Sequence, residues 1–460
     1  MPKHKSENKS FIVWLRTTKG CENLKNLENL KNKEQKDRIV KYRIFLYLAL
    51  FCSMTALICT GYFTLWKMVP SNIKIKAGVD QTLDFQLPAS GDLYKDAIQV
   101  SGLPASNIPK DSIHIDFAKP ITIKANEINR YVLDLKLFGI IPLKTVDIQV
   151  IQNRTLTPAG IPIGIYVKTQ GVLVIGVGEF TGEDGQRYSP SQYILQSGDY
   201  ITHVNDEKVT GKEAFVDMVK HSEGQEMVLT VKRGEEILSL KVKPESNQAG
   251  DYKIGIWIRD NAQGVGTMTY INDGAGFGAL GHGINDVDTS TLMNLEEGTL
   301  YQTEIVGITR GSNGTPGELT GYIEYDDSNI IGKITENTSE GIFGYCNEQI
   351  KAQVPFGELP IGLKQEIKKG PAQIICSIEG EPKYYDIEIL EVHLNNDNIN
   401  RGIVLRITDK NLLSLTGGII QGMSGSPIVQ NGKIIGAVTH VLVQDATSGY
   451  GIFIENMLLH

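Results

Sequence analysis

The sequence contains one run of 23 residues, Ile44–Trp66, without a charged side chain. At about 1.5 Å per residue, a helix of that length spans a hydrocarbon core of roughly 30 Å. Arg43 and Lys67 bracket the run, and residues 1–43 hold 12 Lys and Arg against 5 Asp and Glu. Because basic segments stay in the cytoplasm, the run predicts a single-pass transmembrane anchor, with residues 1–43 as a cytoplasmic tail and the rest of the chain outside. A cleaved signal peptide is the alternative, although its apolar region normally has about 7–15 residues.

The charge of the remaining chain argues against nucleic acid as a partner. Residues 44–460 hold 33 Lys and Arg against 48 Asp and Glu, whereas a nucleic-acid-binding surface needs a basic patch. Two of the five cysteines, Cys346 and Cys376, would lie outside the membrane. They either pair in an oxidising compartment or remain free buried thiols. Their spacing is not that of a zinc site, and neither a metal nor a cofactor is predicted.

Residues 67–155 predict a small β-rich spacer domain. Short runs rich in β-branched residues are separated by Gly, Pro and Asn, and no catalytic cluster occurs among them. The predicted strands are Ile73–Lys76, Ile121–Lys124, Tyr131–Leu137 and Thr145–Val150. In contrast, residues 1–43 are expected to be poorly ordered, because their helical pattern is brief and rich in Asn.

Residues 156–246 combine short strands with one amphipathic helix. A strand at Gly171–Ile175 precedes the motif Gly198-Asp199-Tyr200-Ile201-Thr202-His203-Val204-Asn205. A helix is predicted at about Gly211–His221, with its apolar residues on one face. Two further strands, Glu226–Lys232 and Glu236–Lys243, close the unit.

The Gly-Asp-x-Ile-x-x-Val-Asn pattern of residues 198–205 resembles that of PDZ domains in bacterial proteases. The resemblance implies that an extended peptide binds as an extra strand at a sheet edge. Backbone N–H groups of a glycine-containing loop would hold the terminal carboxylate of the peptide. By this resemblance the loop consists of Pro162, Ile163, Gly164 and Ile165. A small β-rich domain without a ligand is the alternative.

Residues 247–460 predict a β-barrel or β-sandwich. Glycine and β-branched residues dominate, and turn pairs such as Asn313-Gly314 and Asn431-Gly432 alternate with short apolar runs. The predicted fold class of the chain is therefore mostly β. It comprises a transmembrane helix, a β-rich spacer, an α+β PDZ domain at 156–246 and a β-barrel domain at 247–460.

The run Gly422-Met423-Ser424-Gly425-Ser426-Pro427 places a serine among small residues between two apolar runs. A serine hydroxyl needs a base to take its proton and donors to stabilise the oxyanion. Glycines allow a sharp bend at which the N–H groups of Gly422 and Ser424 converge on one point. These residues predict Ser424 as a nucleophile, with its own N–H and that of Gly422 as the oxyanion hole.

This hexapeptide resembles the Gly-x-Ser-Gly-x-Pro motif of chymotrypsin-like peptidases. The resemblance implies that the next strand, which contains Val438, Thr439 and His440, pairs with the substrate backbone. It also implies that the β-barrel domain is chymotrypsin-like. Chymotrypsin has Asp before the serine, where this chain has Met423, so activation by a freshly cut N-terminus is not expected.

Four histidines of the last region are candidates for the general base. His282 is flanked by Gly281 and Gly283, which leave its ring uncrowded, and it lies far upstream of Ser424. His440 follows the serine closely and is the second candidate. His393 alternates along a strand as a surface residue, and His460 is expected to be frayed. His282 is favoured.

The spacing of the aspartates in the sequence does not decide which of them orients the general base. Asp286 and Asp288 follow His282 closely, and Asp326 and Asp327 lie in a predicted turn. Asp409 ends an apolar strand before the serine, where turn residues are also common.

The apolar helix, the PDZ-like region, Phe277–Ile284 and Gln421–Pro427 together resemble the SpoIVB peptidase family of endospore formers. The resemblance covers the chain beyond about residue 40 and implies His282 as base, Asp409 as orienting acid and Ser424 as nucleophile. It implies a serine endopeptidase that is exported from the forespore and cuts itself near its N-terminus, for which the segment from Val69 to about residue 75 is a candidate.

The same resemblance implies a second substrate, a membrane-bound regulator whose cleavage triggers late sigma-factor activation. Protein substrates, protein tails at the PDZ domain and the membrane at residues 44–66 are thus the implied partners. The alternative is a non-catalytic PDZ scaffold that signals by binding protein tails, and an esterase is a third possibility.

Overall fold

A computed structural model of the chain describes residues 7–95, 113–395 and 398–460. The first element, α1, is a helix over Glu7–Met68, and Pro70 follows its end. The part of the predicted poorly ordered tail that is described, residues 7–43, is therefore helical, and that prediction was wrong. The segment has no proline after Pro2 and many Leu, Lys and Glu, which favour helix. Within α1, Gln35–Met68 is long and apolar enough to cross a membrane.

The spacer region is built on a five-stranded sheet and a two-stranded ribbon. The sheet has the order β1-β7-β6-β3-β4, and β2 pairs with β5. Four of these strands coincide with the predicted ones. The bounds are β1 Asn72–Lys76, β2 Gln81–Leu83, β3 Ala89–Lys95, β4 Ile113–Asp116, β5 Ile121–Ile123, β6 Arg130–Leu137 and β7 Ile141–Ile151.

Strand β1 attaches the spacer to the C-terminal region through two buried lysines. Lys74 Nζ donates to the Glu455 carbonyl oxygen at 2.7 Å, and Lys76 Nζ lies 2.8 Å from Glu366 Oε2. Because Ile73, Lys74 and Ile75 are buried in β1, which pairs with β7, residues 73–75 are not accessible for self-cleavage. The candidate segment from Val69 to about residue 75 is shortened accordingly at its C-terminal end.

The region predicted as a PDZ domain contains short strands around one helix, as expected. Phe215 and Val219 of the helix are buried against a core that includes Val172, Ile201 and Leu229. The elements are β8 Thr155–Pro158, β9 Pro162–Val177, β10 Phe180–Thr181, β11 Arg187–Tyr188, β12 Tyr200–Val204, β13 Glu207–Lys208, α2 Lys212–Lys220, β14 Met227–Arg233, β15 Glu236–Val242, β16 Glu245–Ser246, β17 Tyr252–Lys253 and β18 Ile256–Ile271.

The aspartate of the Gly198-Asp199 motif has a structural role. Its carboxylate is fully buried and accepts three hydrogen bonds, from Nε and Nη2 of Arg233 at 2.8 Å each and from the Gln196 N–H at 3.0 Å. A buried carboxylate needs such a paired, planar partner. The motif thus fixes β12 against β14, the strand that carries Arg233.

The C-terminal region contributes strands to the sheet that contains β9, β12, β14 and β15 of the PDZ-like region, and it also forms a closed barrel. Its elements are β19 Gly276–Ala279, β20 Leu295–Tyr301, β21 Thr303–Thr309, β22 Glu318–Ile323, β23 Ile330–Thr338, β24 Gly341–Cys346, α3 Glu348–Gln353, β25 Leu359–Pro360, β26 Gly370–Cys376, β27 Lys383–Val392, β28 Ile403–Ile407, α4 Lys410–Thr416, β29 Pro427–Gln430, β30 Lys433–Leu442, β31 Asp445–Phe453 and α5 Ile454–Met457. Short 3-10 turns occur at Asp327–Asn329, Lys364–Glu366 and Ile399–Arg401.

One sheet crosses the boundary predicted at residues 246 and 247. Its order is β15-β14-β12-β9-β20-β23-β24-β19-β18-β8-β25, β13 pairs with β12, and β9 also pairs with β18. The long strands β9 and β18 therefore belong to both the PDZ-like region and the region after it. The sequence pattern gives no sign of this sharing, because it arises from pairing between distant segments.

The closed barrel has the order β26-β27-β28-β31-β30-β29. Its interior contains the buried residues Ile374, Leu405, Ile428 and Val438. The mostly β fold and the C-terminal barrel are confirmed. Cys346 and Cys376 are separate buried thiols, so the structure has the second of the two predicted cysteine states.

Candidate active site

Ser424 lies in a tight turn directly before β29, and hydrogen bonds fix both sides of it. The Ser424 carbonyl accepts from the Thr267 N–H at 3.0 Å, and the Gly425 N–H donates to the Val438 carbonyl at 2.8 Å. The Thr267 hydroxyl donates to the Gly422 carbonyl at 2.7 Å. The turn is therefore held between β18, which contains Thr267, and the barrel strand β30.

Gly425 is required by this turn. It has φ +98°, and a Cβ there would overlap the Thr267 carbonyl oxygen and the Leu280 backbone nitrogen. Any side chain would push the turn away from both groups. The close approach brings Ser424 beside Leu280, two residues before His282.

Some backbone N–H groups of the turn have acceptors within the protein and others do not, as an oxyanion hole requires. The Met423 N–H bonds to the Ile420 carbonyl, and the Gly425 N–H is used as described above. Among the hydrogen bonds of the described residues, none uses the N–H of Gly422 or Ser424. Two N–H groups without acceptors beside a serine hydroxyl can stabilise a developing oxyanion.

The half-buried Ser424 hydroxyl donates to the Thr439 carbonyl at 2.8 Å. Thr439 also contacts the loop that carries His282, because a Cβ on Gly281 would lie 3.0 Å from its methyl group. Its hydroxyl donates to the Asn400 carbonyl at 2.7 Å. Thr439 thus links the serine turn to the histidine loop, and the hydroxyl must rotate away from its carbonyl to react.

His282 has the tautomer that a general base needs. Its Nδ1 lies 2.9 Å from the Gly283 carbonyl oxygen, which can only accept, so the proton is on Nδ1 and the Nε2 lone pair is free. Asn400 Nδ2 donates to the Gly281 carbonyl at 2.6 Å and fixes the loop. A backbone carbonyl therefore sets the tautomer that a carboxylate sets in a Ser-His-Asp triad.

The surroundings of His282 keep its ring neutral. Burial lowers the pKa of His282 below 6.5, although the hydrogen bond to Gly283 acts in the opposite direction. The ring is consequently uncharged at pH 7 and can accept a proton.

His440, the second candidate base, lies beside the first. The ring centroids of His282 and His440 are 5.2 Å apart. Desolvation, the His282 ring and Arg401 lower the pKa of His440 to about 4. The structure therefore brings the two candidate histidines together, and His440 directly follows Thr439, whose carbonyl accepts from the Ser424 hydroxyl.

The structure does not bring Asp409 to His282. Asp409 is the N-cap of α4, where its Oδ1 accepts from the Leu412 N–H at 2.9 Å. Asn400, which contacts the His282 loop, lies at the other end of β28. Five strand residues span roughly 16 Å, so β28 separates Asp409 from the histidines. The assignment of Asp409 as orienting acid is corrected to a helix cap.

Three of the four other acidic candidates, Asp286, Asp288 and Asp326, also have partners other than His282. Arg259 binds Asp286 and lies 2.7 Å from Asp288. Asp326 accepts from Ser328 at the start of the turn Asp327–Asn329. In the described part of the chain, no carboxylate hydrogen-bonds to His282.

Because Asp409 caps α4, its replacement should change the stability of the protein and leave its peptidase activity nearly unchanged. Asp409→Ala should lower the free energy of unfolding by about 1 kcal/mol and leave kcat/KM within about threefold. Asp409→Asn should be nearly neutral, because Asn caps as well as Asp. Urea unfolding and peptidase assays measure both effects. If Asp409→Asn lost activity while it kept stability, the carboxylate would act in catalysis.

Two further predicted sites have a different local structure from the one expected. Pro162–Ile165 is not a loop but the start of β9, paired with β18 on one edge and, at Gly164 and Ile165, with β20 on the other. The backbone groups of these four residues are therefore engaged in strand pairing and cannot form a loop that binds a terminal carboxylate.

The predicted substrate strand, which contains Val438, Thr439 and His440, is β30, an interior strand of the closed barrel. The expected pairing with the substrate backbone is therefore not available at Val438.

The other two candidate bases, His393 and His460, are outside the site. His393 Nε2 lies 2.7 Å from Glu391, in agreement with a surface position. His460 stacks on Phe343 with ring centroids 4.5 Å apart and its Nδ1 lies 3.0 Å from Glu336. The expectation of a frayed His460 was wrong, because an aromatic face and carboxylates hold it in place.

Sequence reasoning missed Thr267, Asn400 and the carbonyl of Gly283 as parts of the site. Thr267 and Asn400 act through hydrogen bonds to the backbone of the serine turn and of the histidine loop. The residue types Thr and Asn are common, and neither position belongs to a recognisable motif. The glycines on either side of His282 were an indirect signal for the Gly283 carbonyl, because they allow the backbone to turn back towards the histidine ring.

Comparisons with known proteins find similarity for two parts of the chain. Residues 250–458 match the family described as SpoIVB peptidase S55. The PDZ domain of the SdrC-like protein from Listeria monocytogenes is 23% identical over a match that covers 20% of this chain and 90% of that one, with a TM-score of 0.17. No curated protein matches the chain. Residues 250–458, which include both Ser424 and His282, are therefore assigned to the SpoIVB peptidase S55 family, a family of serine peptidases.

Proposed function

We propose that the chain is a membrane-anchored serine endopeptidase that cuts itself and a membrane-bound regulator during endospore formation, and that this triggers late sigma-factor activation. The observation that carries the endopeptidase assignment is the arrangement around Thr439. Its carbonyl binds the Ser424 hydroxyl, its methyl group contacts the His282 loop, and unpaired N–H groups of Gly422 and Ser424 lie in the same turn.

These residues support an acyl-transfer mechanism. His282 Nε2 takes the proton of the Ser424 hydroxyl while Oγ attacks the peptide carbonyl. The N–H groups of Gly422 and Ser424 stabilise the oxyanion. His282 then gives its proton to the leaving amine. Water next attacks the acyl carbonyl while His282 takes its proton, and His282 returns that proton to Ser424 Oγ as the bond between Oγ and the acyl group breaks.

The position in the cell is part of the proposal. The helix Gln35–Met68 is long and apolar enough to span a membrane, and residues 44–66 are its uncharged part. Residues 1–43 would lie in the forespore cytoplasm, and the remainder in the space between the two forespore membranes. Self-cleavage would release that remainder, at a site outside the buried strand β1.

Covalent labelling separates this proposal from a non-catalytic scaffold that binds protein tails. A fluorophosphonate probe should label the full-length chain in detergent at Ser424, as identified by peptide mass spectrometry. The reason is that the probe reacts only with a serine whose proton has a base to accept it. Labelling that is absent in the folded chain would favour the scaffold.

The matched control for labelling is Ser426, two residues further along the same motif. The Ser426 hydroxyl is buried and has no hydrogen-bond partner among the described residues. It has no base, so the probe should not modify it. Modification of both serines would indicate non-specific reaction.

A further inference from the structure

Strand β22 lies directly beside the segment that leads to the nucleophile. The Leu319 N–H donates to the Gln421 carbonyl at 2.9 Å, and the Gln421 N–H donates to the Gly317 carbonyl at 2.9 Å. These two bonds have the pattern of a parallel bridge between strands. The first part of one edge of β22 is therefore paired with the chain just before Ser424.

The same edge of β22 is unpaired further along. The N–H and carbonyl groups of successive residues alternate between the two edges of a strand, so those of Gly321 point to the same edge as the Leu319 N–H. Strand β21 pairs with the opposite edge, and no third strand of the described chain pairs with β22. Outside the pairing with β21, none of the hydrogen bonds between described residues uses the N–H or carbonyl of Gly321.

The nucleophile segment turns away from this edge at Gly422. The glycine has φ +95°, and a Cβ there would lie 2.9 Å from the Leu319 Cβ. In a continued parallel pairing, Met423 would bond to the Gly321 N–H. Instead the Met423 N–H bonds to the Ile420 carbonyl, and the Met423 side chain is buried in the barrel. The turn that exposes the nucleophile thus also leaves the next part of the β22 edge unpaired.

Gly321 and the serine turn lie over the same face of β18. A Cβ on Gly321 would lie 2.6 Å from a methyl carbon of Val265, and the Thr267 hydroxyl donates to the Gly422 carbonyl at 2.7 Å. Val265 and Thr267 are alternate residues of β18, so their side chains point to one face and are about 7 Å apart. The unpaired edge is therefore within about two residues of extended chain from the turn.

The two ends of the serine turn face different parts of a bound substrate. His282 gives its proton to the leaving amine, so the leaving part lies at the histidine loop. The Gly425 end of the turn borders that loop, because a Cβ on Gly425 would overlap the Leu280 backbone nitrogen. The Gly422 end borders Leu319 of β22. The acyl part of the substrate consequently extends towards β22.

We propose that the acyl side of a protein substrate binds as an extra strand along the free edge of β22, with its backbone bonded to the N–H and carbonyl of Gly321. The proposal rests on the peptidase part of the proposed function and identifies how that site holds its substrate. An exposed edge of a two-stranded hairpin can accept an extended peptide in this way. Strand β30, which the sequence suggested for this role, is inside the closed barrel.

Hydrogen exchange measures the proposed backbone bond directly. The full-length chain in detergent is labelled at Ser424 either with an alkyl fluorophosphonate or with a phosphonyl fluoride whose phosphorus carries an acetyl-Ala-Ala-Val chain. The peptidyl compound should slow exchange of the Gly321 N–H about tenfold or more relative to the alkyl compound, because it gives that N–H an acceptor. Amides on the outer edge of β21 are the control and should exchange equally in both samples. Equal exchange at Gly321 would overturn the proposal.

Two exposed tyrosines provide matched variants. Tyr322 is 60% exposed and follows Gly321 in β22, and Tyr345 is 64% exposed in β24. Tyr322→Ala should slow inactivation by the peptidyl compound about two- to fivefold, through loss of a cross-strand side-chain contact, and inactivation by the alkyl compound should not change. Tyr345→Ala should leave both rates unchanged. Equal losses in the two variants would show that the peptide binds elsewhere.

The labelling step separates failure of this inference from failure of the proposed function. If neither compound labelled Ser424, the peptidase proposal would fail, and this inference would fail with it. If the alkyl compound alone labelled Ser424, the acyl side would have no room beside the turn, and only the strand assignment would be overturned.

Discussion

Ser424→Ala is expected to lower kcat for peptide-bond hydrolysis by a factor on the order of 10⁵ or more, because no other group replaces the nucleophile. The fold should be retained. The hydroxyl makes one hydrogen bond, to the Thr439 carbonyl, on a half-buried side chain, so its loss should change the free energy of unfolding by about 1 kcal/mol.

The measurement compares self-cleavage and cleavage of an added protein substrate in the full-length chain and its variants. Ser426→Ala is the matched control. Its hydroxyl is buried without a partner in the described structure, so its removal should not reduce activity and should not destabilise the protein. If Ser424→Ala kept activity within about tenfold of the unchanged chain, Ser424 would not be the nucleophile.

The main features of the site could be predicted because they are local in sequence. The small residues of Gly422–Pro427 specify a tight turn and a serine with donors in the same loop, and the glycines on either side of His282 allow its loop to pack closely against other chain segments. The apolar run Ile44–Trp66 specified one long helix in the same way. Each of these signals is contained in a window shorter than 25 residues, and the physical constraint acts within that window.

The features that were missed depend on pairing between distant segments. Pro162–Ile165 was predicted as a loop, and it is a strand because β18 and, at Gly164 and Ile165, β20 pair with it. Likewise, β30 is an interior strand because β31 and β29 pair with it. Asp409 was assigned from family resemblance, and its separation from His282 follows from the length of β28. None of these relations is readable from local sequence.

The second large effect is expected at His282. His282→Ala should lower kcat/KM by a factor on the order of 10³ or more, because Ser424 loses the base that accepts its proton. His440→Ala should cost about tenfold or less, since His440 contacts the base without setting its tautomer. His393→Ala, at the surface beside Glu391, is the control and should have no effect. If kcat/KM fell further in His440→Ala than in His282→Ala, His440 would be the general base.

The pH dependence of kcat/KM tests the same assignment independently. His282 acts when it is neutral, and burial lowers its pKa below 6.5. Activity should therefore persist below pH 6.5 and fall as the pH drops through the lowered pKa. His440→Ala removes a ring that shields His282 from water, so the pKa of His282 should rise towards 6.5 and the acidic fall should move to higher pH. A profile that does not move in His440→Ala would mean that burial by this ring does not control the base.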